Sequence, residues 1–442
     1  MNWIFLGMVV LSVLFAAVGQ LTGIFSIGET PMDLLSMAII DAAKNAVVLA
    51  LGLIGIMTFF LGLMKVVEAG GGLTIMARLI RPLLTKLFPE VPPDHPAMGA
   101  MVLNLSANAL GLGNAATPFG IRAMQQLDTL NPEKGTATNT MALFLAINTS
   151  SVTLLPTGVI ALRAASGSMD PAGILPTTLF ATVCSTTVAV LGTFFYKRFF
   201  KKSDPMNPNR IQKSALSEST EALSAENTST NYEAETAEVP EGYPAWVSIL
   251  CLAGFLALAA FLVLCGGAIS PWILPILAVS FLIFGVIRKV RVYETFVEGA
   301  KDGFQVAVRI IPYLVAILVA VEMLKVSGGL DFLVGAIGGL TVKFGLPPEA
   351  LPMALLRPLS GSGAYGVLAS TIADPAIGPD SYIGYLVSTI QGSTETTFYV
   401  LAVYFGAIGV RRYRHTLLAA LTADVAGIMG AVVACLFLFG FA

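Results

Sequence analysis

The chain has 442 residues, of which 56% are hydrophobic and only 12% charged, and its formal net charge is −2. A soluble domain carries about a quarter charged residues, so this composition excludes a soluble enzyme, a disordered chain and a basic nucleic-acid binder. A polytopic, all-α membrane protein remains, with room for roughly eight to ten crossings of about 20 apolar residues each.

Residues 3–24 form the first apolar run. They lack a basic leader, which favours a span over a signal peptide. Residues 25–40 carry Glu29 and Asp33 but no Lys or Arg, and read as an external loop. Residues 45–64, bounded by Lys44 and Lys65, are the next span. Residues 73–88 differ: Leu73, Met76, Ile80, Leu83, Leu84 and Leu87 line one face, opposite Arg78, Arg81 and Lys86. That pattern predicts a helix lying in the membrane interface. Residues 97–112 and 138–162 are apolar runs interrupted by polar, Gly or Pro residues, and residues 174–196 close the first half.

Residues 203–243 are rich in Ser, Thr, Glu and Asn and bury too little to fold, so they read as a disordered cytoplasmic linker. They divide the chain into units 1–202 and 244–442. The second unit has spans at 246–267, 271–287, 305–325, 351–365, 382–407 and 416–441, and an interfacial helix at 330–344. Cys184, Cys251, Cys265 and Cys435 lie inside apolar runs without a CxxC pair, as packing residues do. His95 and His415 sit at segment ends, and no metal site or cofactor is expected.

The halves repeat. Ala43-Lys44-Asn45 matches Ala300-Lys301-Asp302, Gly71-Gly72-Leu73 matches Gly328-Gly329-Leu330, and Pro92-Pro93-Asp94 matches Pro347-Pro348-Glu349. Asn148-Thr149-Ser150 aligns with Gln391-Gly392-Ser393. The span 246–267 has no partner, and one extra span turns the second half over. Charge agrees: Lys197, Arg198, Lys201, Lys202 and the 288–291 loop are basic, whereas the repeat partner of that loop, 25–40, is acidic. Arg411, Arg412 and Arg414 face a nearly neutral partner around 163–170. The expectation is two inverted repeats with broken, re-entrant helices.

Four polar clusters interrupt the apolar runs at matching positions. The first holds Asn104, Ser106, Asn108 and Asn114 with Gly111, Gly113 and Pro118. The second holds Asn148, Ser151 and Thr153 before Pro156. The third is Arg357-Pro358-Leu359-Ser360-Gly361-Ser362-Gly363-Ala364-Tyr365-Gly366, and the fourth Gln391-Gly392-Ser393-Thr394-Glu395-Thr396-Thr397. The Ser/Gly alternation of the third is no phosphate loop, because no strand precedes it and no Gly-Lys-Ser/Thr follows. Polar groups at membrane depth are costly unless they line a cavity or find partners. The candidate solute-binding residues are therefore these Asn, Ser, Thr and Gln side chains up to Thr394, together with Arg357 and Glu395. Two blander readings stand beside this one: small polar residues let helices approach closely, and Arg357–Glu395 is a structural ion pair. Glu322 and Lys325 are spaced for a local pair, and Asp424 is a lone carboxylate in the last span.

The run Gly111–Gly120 and the run Asn148–Thr153 resemble the spore maturation A proteins. The runs Arg357–Ala364 and Gln391–Gly406 resemble the spore maturation B proteins. Both belong to the nucleoside-recognition Gate group, which also occurs in concentrative nucleoside and ferrous-iron transporters. The resemblance implies a fused A/B protein of the bacterial inner membrane. The sequence shows no metal triad, nucleophile–base pair or cofactor motif, so no enzyme activity is expected. The expected function is ion-coupled secondary transport of a small polar solute, with nucleoside-like molecules as one candidate class; the alternative is a spore-maturation or envelope scaffold without transport. The expected partners are that solute, a coupling cation or proton, the lipid bilayer and a second copy of the chain, with no nucleic acid.

Overall fold

The computed structural model describes residues 2–22, 30–111, 113–151, 153–200, 242–329, 332 and 341–439. The linker expected at 203–243 lies outside them except for its last two residues, and so does most of the expected interfacial helix at 330–344. In the first half the helices are α1 (Asn2–Thr22), α2 (Pro31–Ala69), α3 (Gly72–Leu87), α4 (Pro96–Ala109), α5 (Gly113–Thr129), α6 (Asn139–Ser150), α7 (Thr157–Ala165) and α8 (Ile174–Tyr196). The second half has α9 (Ala245–Ile287), α10 (Val292–Val326), α11 (Leu351–Leu356), α12 (Gly361–Ala373), α13 (Tyr382–Ser393), α14 (Thr397–Gly406) and α15 (Thr416–Phe439). Among the described residues, three helices are long and apolar enough to cross a membrane, near the N-terminus, at α8 and at α15. The end of α2 and α3, bent by 69° at Gly70–Gly71, make a fourth if counted as one broken span.

Local chemistry sets the starts. Thr30 and Asp33 form a reciprocal capping box on α2, with Pro31 in the first turn. Thr138 caps α6 through the Met141 amide at 3.1 Å, and Ser381 caps α13 through the Gly384 amide at 3.0 Å. These two caps are repeat partners. The box on α2 corrects the expected loop at 25–40, because the chain is helical from Pro31 onward.

The spans expected at 246–267 and 271–287 fall within one run of helical residues, α9. A straight helix of 43 residues would be about 65 Å long. Its two flanks nevertheless both meet the α2–α3 segment, one along α3 and one at the corner before it. Tyr243 N–H donates to the Arg78 carbonyl at 3.0 Å, and Arg288 Nε donates to the Gly70 carbonyl at 2.7 Å. The two ends therefore lie much closer together than a straight helix of this length allows.

Repeat counterparts pack on each other. α2 lies along α10, and α8 lies along α15. Both pairs are antiparallel. Gly62 meets Phe296, and Gly303 meets Thr58 so closely that a Cβ would stand 2.7 Å from the Thr58 Cα. Gly192 meets Thr422, while Gly430 meets Ala181 and Cys184. In cross-packing, α6 rests on α15 and α13 rests on α8. Antiparallel packing of repeat partners is the geometry of an inverted repeat. The interfacial helix expected at 73–88 is α3, Gly72–Leu87, with Ala77 and Leu84 buried and Arg78 and Lys86 exposed, as an interfacial helix requires.

Candidate functional site

Four helix breaks come together where the halves meet, and each is stitched by main-chain bonds. Leu154 N–H donates to the Ala109 carbonyl at 3.1 Å, and Phe398 N–H donates to the Pro358 carbonyl at 3.0 Å, which are equivalent links in the two halves. Glu395 N–H crosses between halves to the Thr149 carbonyl at 2.8 Å. At the end of α6, Ser151 has φ 43°, and Thr182 Oγ1 donates to the carbonyls of Ser150 and Ser151. Irregular backbone at membrane depth needs such partners.

Between the breaks lies a cavity of about 200 Å³. From the first half its wall takes Asn108, Gly111, Thr153, Leu155, Pro156, Thr157, Gly158 and Val159. From the second it takes Arg357, Gly361, Tyr365, Gln391, Gly392, Thr394 and Glu395. The first residues of α7 and α12, Thr157 and Gly361, are both on the wall. The positive ends of two helix dipoles therefore face the space.

Arg357 is the buried cation of the site. Its Nη2 donates to the Thr394 carbonyl, and its Nη1 donates to Thr396 Oγ1 at 3.1 Å. Nη2 lies 3.8 Å from Glu395 Oε2, an ion pair without a direct hydrogen bond. The Glu395 side chain is 49% exposed, so its carboxylate faces the opening rather than the protein. Gln391 is buried, and its Oε1 has no protein partner. The wall thus offers a carboxylate, a fixed guanidinium, neutral amides and hydroxyls. It can hold a small polar solute by hydrogen bonds.

Of the residues singled out from sequence, Asn108, Thr153, Arg357, Gln391, Thr394 and Glu395 line the cavity. Asn148 stands behind the wall, its Oδ1 accepting from Asn108 Nδ2 at 2.9 Å. Ser151 bonds Thr153 Oγ1 at 2.6 Å. Ser360 caps α12 through the Gly363 amide, and Ser362 is exposed. Asn104 is buried, donating to the Ala116 carbonyl at 2.7 Å and to Tyr404 Oη at 3.1 Å. Ser106 and Ser393 donate back to the carbonyls of Val102 and Ile390 on their own helices. The Asn114 side chain lies outside the described residues. Two contributors were not singled out. Tyr365 packs its hydroxyl against Gly158 across the halves, and Thr396 holds Arg357. Both sit inside sequence clusters that had been noted. Lys325, expected beside Glu322, reaches Asp374 at 2.7 Å.

A second cross-half cluster gave no sequence signal. Arg163 is fully buried, with Nη1 donating to the Pro379 carbonyl at 2.6 Å and Nη2 to Asp380 Oδ1 at 3.1 Å.

A family model described as Gate, nucleoside recognition, matches residues 50–166 and 307–411, one segment in each half. Spore maturation protein B of Bacillus subtilis (strain 168) is 45% identical over 172 residues, 39% of this chain and 96% of its own length. Spore maturation protein A of the same organism is 44% identical over 180 residues, 40% of this chain and 92% of its own. Inner membrane protein YjiG of Escherichia coli (strain K12) is 35% identical over 85 residues, 19% of this chain and 55% of its own. The solved structure of CNTnw in an inward-facing substrate-bound state covers 98% of this chain and 90% of its own at 15% identity. Its TM-score of 0.37 is too low to transfer geometry. Near-complete coverage of two separate relatives fits a fusion of an A-type and a B-type protein. The chain belongs to the Gate family of nucleoside-recognition proteins.

Proposed function

We propose that the protein is a secondary transporter of a small polar solute in the bacterial inner membrane, with the cavity between the halves as its solute site. The single observation that carries this reading is that cavity: both halves line it, all four helix breaks surround it, and Gln391 Oε1 in its wall lacks a partner. The description of the family favours a nucleoside-like solute. Asn108, Gln391 and Thr153 would supply neutral hydrogen bonds, Glu395 would take a donor of the solute, and Arg357 would hold the Thr394–Thr396 turn in place. The two units 1–202 and 244–442 would move against each other, joined by the linker. Neither this wall nor the clusters behind it pair a nucleophile with a base, so the reading includes no catalysis.

The test is a thermal-shift screen of purified protein against nucleosides, amino acids, organic acids and metal cations. Stabilisation by one solute class, lost in Glu395→Gln with the ligand-free Tm unchanged, supports transport. A flat response across all classes sinks it. The second reading, a spore-maturation scaffold, draws on the polar residues that bond only to their own helices, Ser106 and Ser393. It predicts the flat response.

A further inference from the structure

Asp424 is a carboxylate that the cavity does not use. It lies partway along the apolar helix α15 and is 3% exposed. Its Oδ2 accepts a hydrogen bond from Thr397 Oγ1 at 2.7 Å, and its Oδ1 has no partner. Thr397 is the first residue of α14, two positions past Glu395. Gly427, one turn further along α15, packs on the same break, where a Cβ would stand 2.7 Å from Thr394 Cγ2. The carboxylate is thus held against the back of the segment whose front faces the cavity.

Its surroundings narrow what can neutralise it. Arg357, from the α11–α12 break, is the charged group that acts on it. From α8 come Ser185, donating to the Ala423 carbonyl at 2.8 Å, and Cys184, against Gly430. From α6 comes Ala146, and from α13 comes Thr389, which meets Cys435 further along α15. An ionised carboxylate with a bare oxygen is costly away from water. A metal cation would need several more oxygens and would meet the positive charge of Arg357. A proton needs neither. It comes from water and forms one O–H bond on Oδ1, and it changes the pull on Arg357, the guanidinium that also pairs with Glu395.

We propose that Asp424 is a proton-binding site whose occupancy controls opening of the cavity between the halves. Its use as the coupling site rests on the transport reading; the proton-linked opening does not. The test therefore needs no solute. In full-length protein with Cys184, Cys251, Cys265 and Cys435 replaced by Ser, Thr153→Cys places one thiol on the cavity wall. Its rate with a hydrophilic thiol reagent is divided by the rate of the unfolded protein at each pH, which removes the ionisation of the thiol itself. The expected result is about a tenfold change in this ratio between about pH 5.5 and about pH 8.5. The change should vanish in Asp424→Asn and persist in Asp424→Glu and Glu395→Gln. The same pH dependence in Asp424→Asn as in the parent overturns the proposal, and so does a ratio that follows sodium at fixed pH. Should Asp424→Asn fail to fold, Thr397→Val removes the hydrogen bond to Oδ2 and should move the midpoint; an unmoved midpoint also overturns it. A flat solute screen with the pH response intact removes transport and leaves the proton site standing.

Discussion

At each end of the molecule a loop from one half clasps a loop from the other, and the two clasps are built differently. At one end the α7–α8 loop meets the α12–α13 loop around Arg163, whose guanidinium is fully buried, bonded to Pro379 and Asp380, and 4.1 Å above the Tyr385 ring. At the other end the repeat-related loops, α5–α6 and α14–α15, are joined by main chain. Ala137 N–H donates to the Arg412 carbonyl at 3.0 Å, and Arg411 N–H donates to the Gly135 carbonyl at 2.9 Å. The ion pair there, Arg412–Glu133 at 3.4 Å, lies on the surface. Duplication fixed which loops meet, but it did not fix what holds them. The ends also differ in charge. Asp170, Asp374 and Asp380 gather at the Arg163 end, and Lys197, Arg198, Arg411, Arg412 and Arg414 at the other. By the positive-inside rule the second end is the one expected on the cytoplasmic side.

The largest effect that would break this comparison is loss of the buried clasp. Arg163→Met removes the guanidinium that donates to the Pro379 carbonyl and to Ser388, and leaves Asp380 with only Ser168 Oγ and the Met169 amide as donors. Asp380 is 36% exposed and keeps those donors, so the cost lies in the buried acceptors left bare, about 1–3 kcal/mol each. The expected outcome is a large drop in Tm, or loss of monodisperse protein, measured by thermal unfolding in detergent. Arg163→Lys keeps the charge but lacks the fork that reaches several acceptors at once, so it should fall between. A Tm for Arg163→Met equal to that of the parent would make the two clasps equivalent and remove the distinction.

Much of this was legible in sequence, and the exceptions have physical reasons. α8 was read to the residue because a long uncharged run has one reading in a membrane. α2 was read too short at its start, since Glu29 and Asp33 marked polarity while Thr30 and Asp33 were spelling a capping box. In the site, Asn108, Arg357, Gln391, Thr394 and Glu395 stood out as polar residues in apolar runs, and they line the cavity. Ser106 and Ser393 stood out equally and turn inward, because a hydroxyl can bond the carbonyl three or four residues back on its own helix. Arg163 was missed because a single Arg at a helix end has no periodicity, and its partners lie in the other half of the chain.

A smaller effect sharpens the contrast at the basic end. His415, just before α15, is buried with neither ring nitrogen bonded. Burial, then the nearby charges of Arg414 and Lys197, hold it down at about 4, against an ordinary value of 6.5. In the unfolded chain it takes up a proton near 6.5, while in the folded protein it stays neutral until about 4. The unfolded state therefore binds more protons between these values, and the contribution of His415 to stability is full above 6.5 and declines as the pH falls toward 4. The slope of Tm against pH in that window should flatten in His415→Leu. The acidic clasp holds no histidine, so Arg163→Lys should leave this slope as it is.

The smallest effect is expected where the clasp is main chain. Arg412 and Glu133 are 77% and 55% exposed, and exposed pairs contribute about 0–1 kcal/mol. Arg412→Ala removes the pair but keeps the Arg412 carbonyl that accepts from Ala137 and the amide that donates to Gly135. Its Tm should stay close to the parent's, and any small loss should disappear in high salt, which screens exposed charges within a few ångströms. Replacing residue 412 by Pro acts on the other component: it deletes the amide that reaches Gly135 while removing the same side chain. A Tm drop for Arg412→Pro well beyond that for Arg412→Ala assigns this clasp to its backbone. Equal drops would assign it to the ion pair and make the two ends alike in kind after all.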